Sequence, residues 1–152
     1  GVITDIGSHL IDICIFLFGK KIKFLNLAEV NRFENLAPDH AIIKLEINKI
    51  KIELEMTLCM WKNSFYCDVI GSKGSGHLNS LCKWSKNTFT HRKRKFPSGK
   101  PVEKIHSLKK KDPTWEAENK FFKGLIKKKY YTSLETDLIL NKGFKQLNKK
   151  IN

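Results

Sequence analysis

The chain has 152 residues, a net charge of +14, ten Phe, three Trp and a 41% hydrophobic share. That is one domain's worth of chain with enough apolar mass for a single core, which excludes a disordered polypeptide. The apolar run from Leu10 to Phe18 is too short for a bilayer and contains Asp12, and no segment reads as a signal peptide, so a soluble, cytoplasmic protein is the expectation.

Cys14, Cys59, Cys67 and Cys82 form no C-x-x-C pair and have no histidine at zinc-finger spacing, so no metal site is expected. They read as reduced thiols, Cys14 within an apolar helix and Cys59 within an alternating strand. All but three of the 29 basic residues are lysine, the exceptions being Arg32, Arg92 and Arg94. Clusters at 91–95, 109–111, 127–129 and 149–150 would suit phosphates. Lysine is nevertheless spread along the whole chain, which reads as a solvated surface rather than a nucleic-acid interface.

The first dozen residues, GVITDIGSHLID, carry the chemistry. Asp5 stands four residues before His9, and Asp12 three residues after it. A helix from about Ser8 places these groups near one face at its N-terminal end. An imidazole held by a carboxylate can act as a general acid or base near neutral pH. The same spacing also fits a helix start whose acids cap free N–H groups.

Lys21 to Val30 reads as a strand, followed by a loop through Pro38. Ala41, Ile43, Leu45 and Ile47 then alternate with polar residues, as do Ile50, Ile52, Leu54, Met56, Leu58 and Met60. Period-two patterning of this length predicts half-buried antiparallel strands. If Asn48-Lys49 is a two-residue turn, Ile47 faces Ile50, Glu46 faces Lys51, Leu45 faces Ile52 and Lys44 faces Glu53. Apolar then meets apolar on one face and opposite charges meet on the other. Lys49 is an unusual turn residue, so a three- or four-residue loop is the alternative.

Phe65 to Ile70 is expected to continue the sheet. The glycine-rich run at 71–76 leads into the strand-like His77-Leu78-Asn79, so it reads as a hairpin turn and not a phosphate cradle. Thr88 to Lys95 and Val102 to Leu108 read as strands around Pro97-Ser98-Gly99. Asp112-Pro113 opens a helix running to about Ile126, with Asp112 as N-cap and acids in the first turn. Thr132 and Glu135 read as the capping box of a last helix. Its expected buried stripe is Leu134, Leu138, Phe144, Leu147 and Ile151.

The opening segment resembles the second-domain signature of the Gfo/Idh/MocA oxidoreductases, the relatives of glucose–fructose oxidoreductase and inositol dehydrogenase. That signature reads G-G-x-hydrophobic-x-D-x-G-x-H-x-hydrophobic-D, and Asp5, Gly7, His9 and Asp12 fall on it. Asp39-His40-Ala41, the glycine-rich turn, the DPTWEAE segment and Thr136-Asp137-Leu138 agree in order. The resemblance covers roughly residues 1–20, 39–80 and 112–147.

The resemblance implies an α+β fold: a large, mainly antiparallel open sheet with helices packed on one face, the other face commonly meeting a second subunit. It implies that His9 and Asp5 are catalytic, working with a lysine from a nucleotide-binding domain while NAD or NADP takes a hydride from a sugar, cyclitol or related polyol. Asp12 would support the helix or line the substrate site. No G-x-G-x-x-G follows an N-terminal strand, and the chain begins within the signature. The expectation is therefore a single, N-terminally incomplete substrate and oligomerisation domain over residues 1–152, which alone binds no dinucleotide. The alternatives are a non-catalytic relative kept as an interaction module and a basic nucleic-acid-binding domain.

Overall fold

A computed structural model describes residues 1–81, 86–108, 113–130 and 134–149. The fold is α+β. Its elements, in order, are α1 (Ile6–Phe18), β1 (Ile22–Asn31), β2 (His40–Ile47), β3 (Ile50–Thr57), β4 (Tyr66–Gly71), β5 (Gly74–Asn79), β6 (Thr88–Lys93), β7 (Val102–Ser107), α2 (Thr114–Ile126) and α3 (Glu135–Asn148). They divide into two compact units, one of residues 1–59 and 131–152, the other of residues 60–130.

In the first unit β1, β2 and β3 form an antiparallel sheet in that order. The β2–β3 register is the one the sequence predicts: Ile47 faces Ile50, Glu46 faces Lys51, Leu45 faces Ile52 and Lys44 faces Glu53. Lys44 Nζ and Glu53 Oε2 lie 2.9 Å apart. Asn48 and Lys49 form the two-residue turn with φ of 49° and 69°, the doubly left-handed geometry such a turn demands. The turn also serves the neighbouring helix. Asn48 Nδ2 donates to the Phe18 carbonyl at 2.6 Å, satisfying one of the orphan acceptors at the end of α1.

Ala41, Ile43, Leu45 and Ile47 are fully buried on one face of β2. Against them and Met56 pack Gly7, Ile11, Cys14 and Ile15 of α1, together with Leu147 and partly buried Phe144 of α3. Helices thus cover one face, while Lys44, Lys51, Glu53 and Glu55 stand exposed on the other. Asp39, just before β2, is also fully buried. Its carboxylate accepts backbone N–H bonds from Phe33 at 2.9 Å, Glu34 at 2.7 Å and Asn35 at 3.1 Å. Those bonds, led by Phe33 and Glu34, hold its pKa below the ordinary carboxylate range against the opposing pull of desolvation.

Several expectations are corrected here. The β3 strand ends at Thr57 rather than Met60, because Leu58 N–H bonds the Asp39 carbonyl and Cys59 N–H bonds Thr57 Oγ1. The chain turns there, so Cys59 follows the strand instead of lying within it. Residues 65–70 do not continue the first sheet: β4, β5, β6 and β7 form a separate four-stranded antiparallel sheet in the second unit. The strands therefore make two sheets rather than one large one. Finally, the buried stripe of α3 is rotated. Leu134 and Leu138 are exposed, whereas Ile139, Leu140, Gly143, Phe144 and Leu147 face the core. Gly143 sets that rotation, since a Cβ there would meet the Phe24 ring at 2.1 Å. The N-cap positions of α2 and α3 fall on Pro113 and Leu134, neither with a side-chain capping bond, in place of the expected Asp112 and Thr132; those two residues, with Ile151, Cys82, Lys109–Lys111 and Lys150, lie outside the described residues.

In the second unit the glycine-rich run is the expected hairpin turn, with Gly71 paired to Gly74 across Ser72-Lys73. The cis Phe96–Pro97 bond lies in the β6–β7 connection, which holds the Pro97-Ser98-Gly99 turn as expected.

Candidate functional site

The signature residues sit on α1, and the backbone before it explains their freedom. The Gly1 carbonyl accepts the N–H groups of Thr4 and Asp5 at 3.1 and 3.2 Å, and the Val2 carbonyl accepts Gly7 N–H at 3.0 Å. Ser8 Oγ donates to the Asp5 carbonyl at 2.7 Å. Asp5 is the N-cap residue, so the helix starts at Ile6, two residues before the Ser8 start that spacing suggests, and the Asp5 side chain makes no capping bond. The capping alternative for this acid is therefore not what the structure holds.

At Gly7 the helix packs closely against the sheet. This residue is buried, and a Cβ there would lie 3.0 Å from Met56 Sδ. With Gly7, Ile11, Cys14 and Ile15 facing inward, Asp5, His9, Asp12 and Phe16 are exposed. At about 100° per residue, these four positions fall within an arc of roughly 60°. The structure thus brings Asp5, His9 and Asp12 onto one outward stripe, with Asp5 and His9 separated by a rise of about 6 Å. Among the described residues, none of the three side chains makes a hydrogen bond or ion pair. They are open to a substrate or another surface.

Asp12 and Phe16 continue into a cleft of about 460 Å³ that also involves Lys20 and Thr136. Lys20 Nζ is paired with Glu135 Oε2 at 2.5 Å, which closes that side with a neutral pair. Sequence reasoning missed Lys20 and Thr136, because only the tertiary meeting of α1 and α3 brings them together. The volume suits a small molecule, and the wall presents one carboxylate, one hydroxyl and apolar surface. Among the described residues no cluster of three His, Cys, Asp or Glu side chains could hold a metal. No helix there is long and apolar enough to cross a membrane.

The glycine run is built as a hairpin and not as a dinucleotide cradle. Its residues are paired in the ladder, Gly71 with Gly74 and Gly76 with Val69, and they lead into β5. They do not form the strand-to-helix turn a pyrophosphate needs.

Residues 1–137 match the family model described as the oxidoreductase family, C-terminal alpha/beta domain, of the Gfo/Idh/MocA group. No curated protein and no solved structure matches the chain. The chain belongs to the Gfo/Idh/MocA oxidoreductases, as a C-terminal domain of that family.

Proposed function

We propose, from that membership, that this domain supplies the proton-transfer group and part of the substrate wall of an NAD(P)-dependent oxidoreductase acting on a sugar, cyclitol or related polyol. The observation that carries the reading is the outward stripe Asp5–His9–Asp12 on a helix whose other side is locked into the core. His9 accepts the proton of the substrate hydroxyl as that carbon is oxidised, and Asp5 positions either the imidazole or the substrate. Asp12, at the mouth of the cleft, binds a further hydroxyl or supports the helix end. The nicotinamide, which takes the hydride, belongs to a separate nucleotide-binding domain. The charged open face of the first sheet, with Lys44, Lys51, Glu53 and Glu55, is where copies of the domain would associate.

The test is His9→Ala in an enzyme that joins this domain to its nucleotide-binding half. General acid–base catalysis contributes about 10²–10⁴-fold, so kcat should fall by that factor while cofactor affinity changes little. Near-normal kcat on the best polyol would reduce the relation to one of fold. A separate titration of this chain with NADH and NADPH should show no micromolar fluorescence change.

A further inference from the structure

The second unit holds a hydrogen-bonded array that the reading above does not use. Ser75 and His77 are two apart on β5 and so share a face. Register puts Asp68 of β4 opposite His77, Arg92 of β6 opposite Ser75, and Glu103 of β7 opposite Arg92. All five side chains therefore meet on one side of the sheet. His77 Nδ1 lies 2.6 Å from Asp68 Oδ1, and His77 Nε2 lies 2.7 Å from Ser75 Oγ. Arg92 Nη1 is 3.2 Å from the same Nε2, and Arg92 Nε donates to Glu103 Oε2 at 2.6 Å.

The donor inventory assigns the protons. A guanidinium can only donate, so Nε2 must be the accepting nitrogen of a neutral ring; Nδ1 then carries the proton and gives it to the Asp68 carboxylate. The single lone pair of Nε2 is then shared: the Ser75 hydroxyl donates to it at 2.7 Å and Arg92 Nη1 approaches it at the longer 3.2 Å. This is a hydroxyl nucleophile on a base, with the base oriented by a carboxylate, a constellation recognised by roles and geometry rather than by fold. Two further elements stand beside it. Arg92, fixed from behind by Glu103, brings a cationic N–H to the same edge of Ser75, where a developing oxyanion needs a donor. Ile70 lies directly opposite Ser75 on β4 and is 83% exposed, giving an apolar rest for a short acyl chain. His77 itself is only 26% exposed at its side chain.

We propose that Ser75 is a nucleophile for carboxylic esters with short apolar acyl groups, with His77 as general base and Asp68 as its positioning residue. In the first step a bond forms from Ser75 Oγ to the carbonyl carbon. The hydroxyl proton passes to His77 Nε2 and then to the leaving alkoxide as the ester C–O bond breaks. Water, deprotonated by His77 Nε2, then attacks the acyl carbon; the carbon–Oγ bond breaks, the proton passes from His77 back to Ser75 Oγ, and the carboxylic acid leaves.

The test treats the chain with a fluorophosphonate probe and with p-nitrophenyl butyrate, and locates the adduct by peptide mass spectrometry. The expected result is a covalent adduct on Ser75, absent in Ser75→Ala and formed about 100-fold more slowly in His77→Gln. Imidazole added to His77→Gly should restore part of the rate, which a purely structural histidine would not allow. Long-range ¹⁵N–¹H spectra of the unaltered chain supply a readout independent of any variant's folding, and should show His77 protonated at Nδ1. Asp68→Asn should shift that tautomer towards Nε2–H and slow adduct formation together. An unlabelled Ser75, an adduct that forms equally fast in His77→Gln, or an Nε2–H tautomer in the unaltered chain would each overturn the assignment and leave the array as a ladder that pins four strands.

Discussion

Gly7 ties the signature to the fold, and substitutions there separate two effects of opposite sign. Helix propensity alone makes glycine the worst of the ordinary residues, so Ala should stabilise α1 by up to about 1 kcal/mol and Val by less. Packing argues the reverse. A Cβ at this position lies 3.0 Å from Met56 Sδ, and Met56 is only 2% exposed, so its sulfur cannot swing into solvent. One methyl can be absorbed by a small shift of a flexible thioether; the two Cγ groups of Val cannot. Gly7→Ala should therefore stay within about 1 kcal/mol of the parent, while Gly7→Val should lose about 1–3 kcal/mol by overpacking. Met56→Ala alone should lose about 2–5 kcal/mol. Combined with Gly7→Val it should lose less than the sum by roughly 1 kcal/mol or more, because the two side chains compete for one space. Urea unfolding followed by circular dichroism measures these differences as midpoint shifts at constant slope. A Val variant as stable as the parent, or a strictly additive double variant, would refute the close approach. Under the proposed role of His9, lifting α1 by about 1 Å would displace the stripe and should cost about 10²-fold in a joined enzyme.

Other expectations are more local. Lys49→Gly should stabilise the first unit by about 0.5–1 kcal/mol, since Lys49 holds a φ of 69° that glycine adopts without strain; thermal melting checks it. The lowered pKa of Asp39 means that its bonds to Phe33, Glu34 and Asn35 stabilise fully above the ordinary carboxylate value near about pH 4. That contribution is lost as pH falls through the still lower folded value, so Asp39→Asn should be weaker near neutrality and show a shallower acid limb in stability against pH. Because their side chains are exposed and unpaired among the described residues, Asp5→Ala and His9→Ala should each change unfolding free energy by no more than about 0.5 kcal/mol. A stability loss of about 1 kcal/mol for Asp5→Ala would instead mark it as a helix cap.

The hairpin was legible because two independent patterns, apolar and charged, had to agree and did so in only one register. The signature stripe was legible because its spacing is local and helical. What sequence missed is set by contacts between distant segments. A stripe through Leu134 and Leu138 suits an isolated helix, but the rotation of α3 is fixed by Gly143 lying over Phe24, more than a hundred residues away in the chain. The division into two sheets turns on residues 58 and 59 spending their N–H groups on Asp39 and Thr57 rather than on a further ladder. Lys20 and Thr136 carry no signal of their own, and neither does the face shared by Asp68, Ser75, His77, Arg92 and Glu103, which appears only once strand register is known.

Asp5 shows how the first helix separates anchoring from chemistry. An aspartate at an N-cap ordinarily accepts a bond from the N–H two or three residues on, and replacing such a cap typically costs about 1 kcal/mol. Here Gly7 N–H goes to the Val2 carbonyl instead, so the turn formed by residues 1–4 takes over part of the capping. Val2 and Ile3 are buried, and Val2 N–H bonds the Pro38 carbonyl at 2.8 Å, which fixes that turn to the strand side of the unit. A carboxylate left uncommitted at a well-anchored helix end is a local departure from the arrangement stability alone would favour, and such departures concentrate at functional sites. The helix dipole adds a second reason for the placement. Positive potential at a helix N-terminus suits an acidic side chain there, and Asp5 stands about one turn from His9, where the proposed function has it orient the imidazole or a sugar hydroxyl. The buried side of α1 supplies the rigidity that this alignment needs.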